Sequence, residues 1–225
     1  MRWRPFSIAV ALASCCTIAL ELLLTRIFSV TMYYHFAYLV ISIAMLGLSI
    51  SGVTIYLLPK WFQSQRAPLL NAVFMLVFSQ AVPWTLRTAL HSPISLEHWQ
   101  ENLGRMGILY LSTGLTMLSS GFAISLAIAS AGPRIGQLYA FDLVGAALGC
   151  FLIIPAIAIF GGPGALLACA GLGALSAAVF ALSSSGSGRA GVDASGSSTR
   201  VDAPRAGVHT SGRSVLVRQS SSRSS

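Results

Sequence analysis

An all-α polytopic membrane helix bundle, with about six transmembrane helices and a disordered C-terminal tail, is what three features of this chain point to. Of its 225 residues 55% are hydrophobic and only 9% are charged, whereas a soluble domain carries about 25% charged residues. Mean hydropathy is +0.75. The apolar residues gather into runs of roughly 20 or more, the length a helix rising 1.5 Å per residue needs to cross the hydrocarbon core. The breaks between runs hold the prolines, glycine pairs and charges that end helices.

In chain order the spans fall near Phe6–Ser29, Tyr33–Leu58, Pro68–Leu90, Met106–Ala131, Leu138–Phe160 and Gly164–Leu182. The first starts behind Arg2 and Arg4 and runs on through Leu22–Leu24. A secretory h-region has only about 7–15 residues, so this longer run is read as a crossing. Leu12-Ala13-Ser14-Cys15 resembles a lipoprotein cleavage box, which leaves processing at Cys15 as an alternative. Val30–Met32 is so short a link that spans one and two should form an antiparallel hairpin. Pro59, Lys60 and the polar Gln63–Arg66 end the second span. Ser92-Pro93 and the Glu97–Arg105 stretch form the longest loop, and Gly132-Pro133-Arg134 parts the fourth span from the fifth. Gly161-Gly162-Pro163-Gly164 is a tight turn into the sixth. Pro83 and Pro155 are expected to kink the third and fifth spans. From Ser184 onward the chain is Ser, Gly and scattered Arg. Such a segment cannot bury enough surface to offset its ordering entropy, so a six-helix domain over 1–183 and a disordered tail over 184–225 are expected.

The net charge of +8 has a membrane explanation, because basic residues collect in cytoplasmic loops and lie against anionic lipid. With the N-terminus in the cytoplasm, Arg2, Arg4, Lys60, Arg66, Arg134 and the six tail arginines lie inside, and only Arg26, Arg87 and Arg105 outside. The expectation is a multi-pass protein of the cell inner membrane with both termini cytoplasmic. Its partner is the lipid bilayer and not nucleic acid. Cys15, Cys16, Cys150 and Cys169 lie in apolar runs without metal-ligand spacing, and read as small buried apolar residues. There is no P-loop, no G-x-G-x-x-G after a strand, no H-E-x-x-H and no G-x-S-x-G elbow, so no catalytic, cofactor or metal residues are expected.

The polar residues inside the spans are the candidates for function, since an ionisable group in a membrane helix is costly and should be paired or functional. Glu21 lies roughly 12 Å from the outer end of the first span. Arg26 follows five residues later, a rotation of about 140° that takes it off the i,i+4 face. His35 begins the second span at about the depth of Arg26. Together these three suit either an interhelical clamp or a polar site open to the outer side. Asp142, with Tyr139 one turn before it, sits roughly 6 Å inside the opposite leaflet, which rules out direct contact with Glu21; Arg134 is the nearest cytoplasmic cation in sequence. Asp142 leads into Gly145-x-x-x-Gly149, a step that lets another helix approach closely.

Two stretches carry a family resemblance. One is Glu21-Leu-Leu-Leu-Thr-Arg26-Ile-Phe-Ser29, continuing through Tyr34-His35-Phe36-Ala37 to Leu46-Gly47-Leu48. The other is Tyr139-Ala-Phe-Asp142-Leu-Val-Gly145-Ala-Ala-Leu-Gly149 with Pro155 and the Gly161–Gly164 turn. Both resemble the membrane portion of spermidine-synthase-like (polyamine aminopropyltransferase-like) integral membrane proteins. The resemblance implies a multi-helix membrane domain that accompanies a cytoplasmic Rossmann-like domain binding a decarboxylated S-adenosylmethionine-type cofactor. No glycine-rich cofactor loop or acidic catalytic motif follows Leu182 here, so the family's active-site residues do not transfer. The chain is therefore expected to lack transferase activity of its own and to bind no cofactor. It would serve as an anchor or partner for a separately encoded catalytic domain, with a homo-oligomer left open. The rival expectation is a small cation or proton transporter using Glu21, Arg26, His35 and Asp142. A lipid-modifying enzyme finds no nucleophile–base set.

Overall fold

The computed structural model describes residues 3–31, 34–58, 62, 67–90 and 99–196. It is an all-α membrane bundle. α1 spans Trp3–Thr31, α2 Tyr34–Leu57, α3 Ala67–Leu90, α4 Trp99–Ser130 and α5 Ile135–Gly196, with a 3-10 turn at Gly132–Arg134 before α5. All five are long and apolar enough to cross a membrane. Helices are what such a chain must form, because lipid offers backbone N–H and C=O groups no partners.

α5 has 62 residues. Straight, it would reach about 93 Å, three times the ~30 Å hydrocarbon core. It divides at Gly161, whose φ of 67° and ψ of 178° are non-helical and belong to a region open essentially to glycine alone. Pro163 follows in the first turn of the second arm, where a missing N–H costs nothing. The two arms, 135–160 and 162–196, run in opposite directions, as their contacts with α1 show. Along the first arm the partners climb together: Trp3 with Gln137, Ser14 with Asp142, Cys15 with Gly149. Along the second they run oppositely: Ser176 Oγ donates to the Ala9 carbonyl at 2.8 Å, and Phe180 meets Phe6 edge-on at 5.4 Å. Among the described residues, five continuous helices thus provide six rod-like segments, two of them the arms of α5.

α1 is the central helix. In its most apolar window 67% of residues are buried, against 11% in the most apolar window of α5, whose second arm nonetheless buries Leu166, Cys169 and Phe180. α3 packs on the second arm of α5, with Ser79 Oγ donating to the Ala170 carbonyl at 2.8 Å. It also packs on α4, through Phe74 stacked on Phe122 and a Thr85–Thr116 hydroxyl contact of 3.3 Å. α2 closes the ring against α4, where Gly47 faces the Gly114 carbonyl, and against α1. The core is Phe6, Leu20, Leu23, Phe28, Met75, Phe78, Met117 and Phe180, while Val30, Leu111, Phe151 and Ile154 point outward. Most intramembrane hydroxyls donate back to the carbonyl three or four residues earlier, as Thr17 does to Ala13 and Thr113 to Leu109, which satisfies the donor inside its own helix.

Some boundaries differ from the sequence expectation. α1 begins at Trp3, before Phe6. α4 begins at Trp99, so Glu101–Arg105 are helical and not loop; the end of a helix tolerates charge. Pro83 and Pro155 both lie within helix, and α5 breaks at Gly161, inside the turn expected at Gly161–Gly164. α4 ends where Gly132 takes a φ of 55°, the left-handed conformation that stops helices. The backbone stays helical to Gly196, past the boundary expected near 183. The rest of the expected tail, 197–225, lies outside the described residues.

Candidate functional site

α1 carries a polar face that repeats every seven residues: Ser7, Ser14 and Glu21, with Thr17 and Thr25 beside them. Seven residues return to the same side within about 20°, so these groups form one stripe. All but Thr25 are buried. Ser7 Oγ donates to the Trp3 carbonyl at 3.2 Å, and Thr25 Oγ1 to the Glu21 carbonyl at 2.9 Å. Ser14 is different. Its hydroxyl crosses to α5 and donates to Oδ1 of Asp142. This answers what pairs with Asp142: a serine 128 residues away in sequence, and not Arg134.

Directly beyond this bond the glycine step does its work. A Cβ on Gly149 would lie 2.5 Å from the Cys15 carbonyl oxygen, and one on Gly145 would lie closer still to that of Ala11. Both obstacles are backbone, which cannot swing aside. The face expected to receive a helix therefore receives α1. Toward the membrane boundary the same seam is tied by Trp3 Nε1 donating to Gln137 Oε1 at 3.1 Å, with the Arg134 guanidinium 5.3 Å over the Trp3 ring. That stacking is where Arg134 goes.

Among the described residues, no hydrogen bond or ion pair joins Glu21 or Arg26 to Asp142. Glu21 is buried on α1, and among the described residues its carboxylate makes no hydrogen bond or ion pair. Ser14 and Glu21 stand seven residues apart, about 10 Å along α1, so the two carboxylates share a stripe but not a site. Arg26 is exposed, and no ion pair joins it to Glu21 among the described residues. Tyr139 is exposed on α5. His35 lies in the first turn of α2, outside the residues whose side chains are described. Cys15, Cys16 and Cys169 are buried free thiols, and Cys150 is exposed. Among the described residues no three of His, Cys, Asp and Glu gather as a metal site would require.

Sequence reasoning missed Ser14, Gln137 and Trp3 as the partners on α1 and α5. The seven-residue spacing of Ser7, Ser14 and Glu21 was the available signal. It also missed Asn71 on α3, whose amide atoms are buried with no hydrogen-bond partner among the described residues. Two apolar clefts open on the surface. One lies between α2 and α4, beside Gly47, Tyr110 and Gly114; the other lies between the arms of α5. Neither is lined by Glu21 or Asp142. Chemically, the α1–α5 seam can hold two helices at near-backbone contact. Comparison of the chain with protein-family models, with curated proteins and with solved structures finds no match in any of the three.

Proposed function

We propose that the chain is the membrane domain of a spermidine-synthase-like integral membrane protein, working as a rigid anchor or docking partner for a catalytic domain and not as a transferase itself. The observation that supports this is the α1–α5 seam. It joins α5, which holds one resembling stretch, to α1, which holds part of the other, and it is locked by Gly145 and Gly149 against the α1 backbone and by Ser14 on Asp142. A seam with no spare volume suits a scaffold, because moving it would break close contacts on both sides at once. The inner membrane, with both ends in the cytoplasm, is the placement the loop charges favour.

The second reading, cation or proton transport, is favoured by one observation: Glu21 is a buried residue whose carboxylate has no partner among the described residues. One experiment separates the two. The purified chain, reconstituted in liposomes, should neither transfer an aminopropyl group to putrescine nor carry proton or potassium flux above protein-free liposomes. It should retain a catalytic chain of the family on the membrane when the two are coexpressed. Flux that disappears in Glu21→Gln would replace the scaffold reading with the transport one, and aminopropyl turnover would remove both.

A further inference from the structure

We propose that the end of the α1–α5 seam where both helices begin is a site for the phosphate of an anionic phospholipid, formed by Arg4, Arg134 and the amide of Gln137. Trp3 ties the three together. Its Nε1 donates to Gln137 Oε1 at 3.1 Å, and the Arg134 guanidinium lies 5.3 Å over its ring. Arg4 follows Trp3 in the chain. It stands seven residues before Ala11 and eleven before Cys15, whose backbones Gly145 and Gly149 of α5 approach. Spacings of seven and eleven return to one face of a helix, so Arg4 is on the stripe of α1 that runs along the first arm of α5. Arg4, Arg134 and Gln137 are all exposed.

The chemistry of this corner is one-sided. A tryptophan N–H can only donate, so the bond from Trp3 occupies the Gln137 carbonyl and leaves the amide N–H donors free. An arginine carries N–H donors and no acceptor. Contact with the Trp3 ring uses the face of the Arg134 guanidinium and leaves the donors on its rim. Among the described residues no carboxylate pairs with Arg4 or Arg134. Asp142, the acid nearest Arg134 in sequence, is taken by Ser14. A set of donors without acceptors, carrying two positive charges, matches an oxygen-rich anion and neither a cation nor a sugar.

Location decides which anion. The apolar spans begin at Trp3 on α1 and at Gly132 before α5, so Arg4 and Arg134 each lie within a turn of the membrane boundary. Their stems reach the headgroup layer from there, and an indole at this level belongs to the interfacial aromatic belt. The anion present in that layer is the lipid phosphate, whose paired oxygens accept two N–H bonds from one guanidinium. The uncompensated positive charge favours a negative headgroup over zwitterionic phosphatidylcholine. The site is independent of whether the chain is a scaffold or a transporter.

The test is native mass spectrometry of the full chain in a neutral detergent, titrated with phosphatidylglycerol or with phosphatidylcholine of the same acyl chains. The parent should bind its first phosphatidylglycerol about tenfold more tightly than its first phosphatidylcholine. Arg134→Gln should weaken phosphatidylglycerol binding about tenfold, the size of one charge-assisted hydrogen bond, and Arg4→Gln by a similar factor. Arg134→Lys keeps the charge but loses the planar fork and the ring contact, so it should recover only part of the loss. Arg26→Gln removes an exposed arginine toward the other end of α1 and should leave binding unchanged. Each variant replaces an exposed side chain, so each reports on a folded protein. Equal affinity of the parent for the two lipids, or binding indifferent to Arg134→Gln, overturns the proposal. A loss in Arg26→Gln as large as that in Arg134→Gln would reduce the effect to overall charge and overturn it too. Displacement of the lipid by millimolar inorganic phosphate would overturn the lipid as occupant.

Discussion

Replacing Gly145 by alanine tests the α1–α5 seam directly. The added methyl would point into the Ala11 backbone, and no rotamer change can move a carbonyl on a helix. The two helices must therefore separate locally. Overpacking of this kind costs about 1–3 kcal/mol. Separation also stretches the Ser14–Asp142 hydrogen bond one turn away, and an interhelical bond in a membrane protein is worth about 0.6 kcal/mol, with a maximum near 1.7. The two terms are coupled, so the total is about 2–3 kcal/mol and not their full sum. For a chain of this size that lowers the melting temperature by roughly 4–10 °C. The internal control is Gly171→Ala on the second arm. A Cβ there meets nothing within 4 Å, and removing a mid-helix glycine stabilises by about 0.5–1 kcal/mol. Scanning fluorimetry of both variants in one detergent reads the contrast: Gly145→Ala should melt below the parent and Gly171→Ala at or above it. If Gly145→Ala melts with or above the parent, the claim that the seam runs at backbone contact is wrong.

Asp142→Ala should lower detergent stability by about 1 kcal/mol through loss of the Ser14 bond, and Asp142→Asn should lose less because the amide keeps an acceptor; equal melting of Asp142→Ala and parent would refute the pairing. Gly161→Ala should cost about 1–3 kcal/mol, since its backbone geometry admits glycine almost alone, and denaturant unfolding would expose a parent-like midpoint as contrary evidence. Reporter fusions after Lys60 and after Ser185 should read cytoplasmic, and one near Glu97 periplasmic. A periplasmic reading at Ser185 would mean an odd number of crossings.

The all-α membrane fold was legible in the sequence because it rests on local properties. Runs of apolar residues, the Gly161–Pro163 break and the position of Gly132 need no knowledge of what packs against what. The glycines at 145 and 149 announced a close approach for the same reason, and Asp142 one turn earlier announced a polar contact within it.

Which helix fills that approach was decided only in three dimensions. In a bilayer, apolar side chains that face lipid and those that face protein have the same chemistry, so hydropathy does not distinguish the inner helix α1 from its more exposed neighbours. The pairing depends on the rotational phase of two helices more than a hundred residues apart in sequence. That phase put Ser14 and not Arg134 on Asp142, turned Arg26 outward, and left Glu21 inside, on the same stripe as Ser14 but about 10 Å from it.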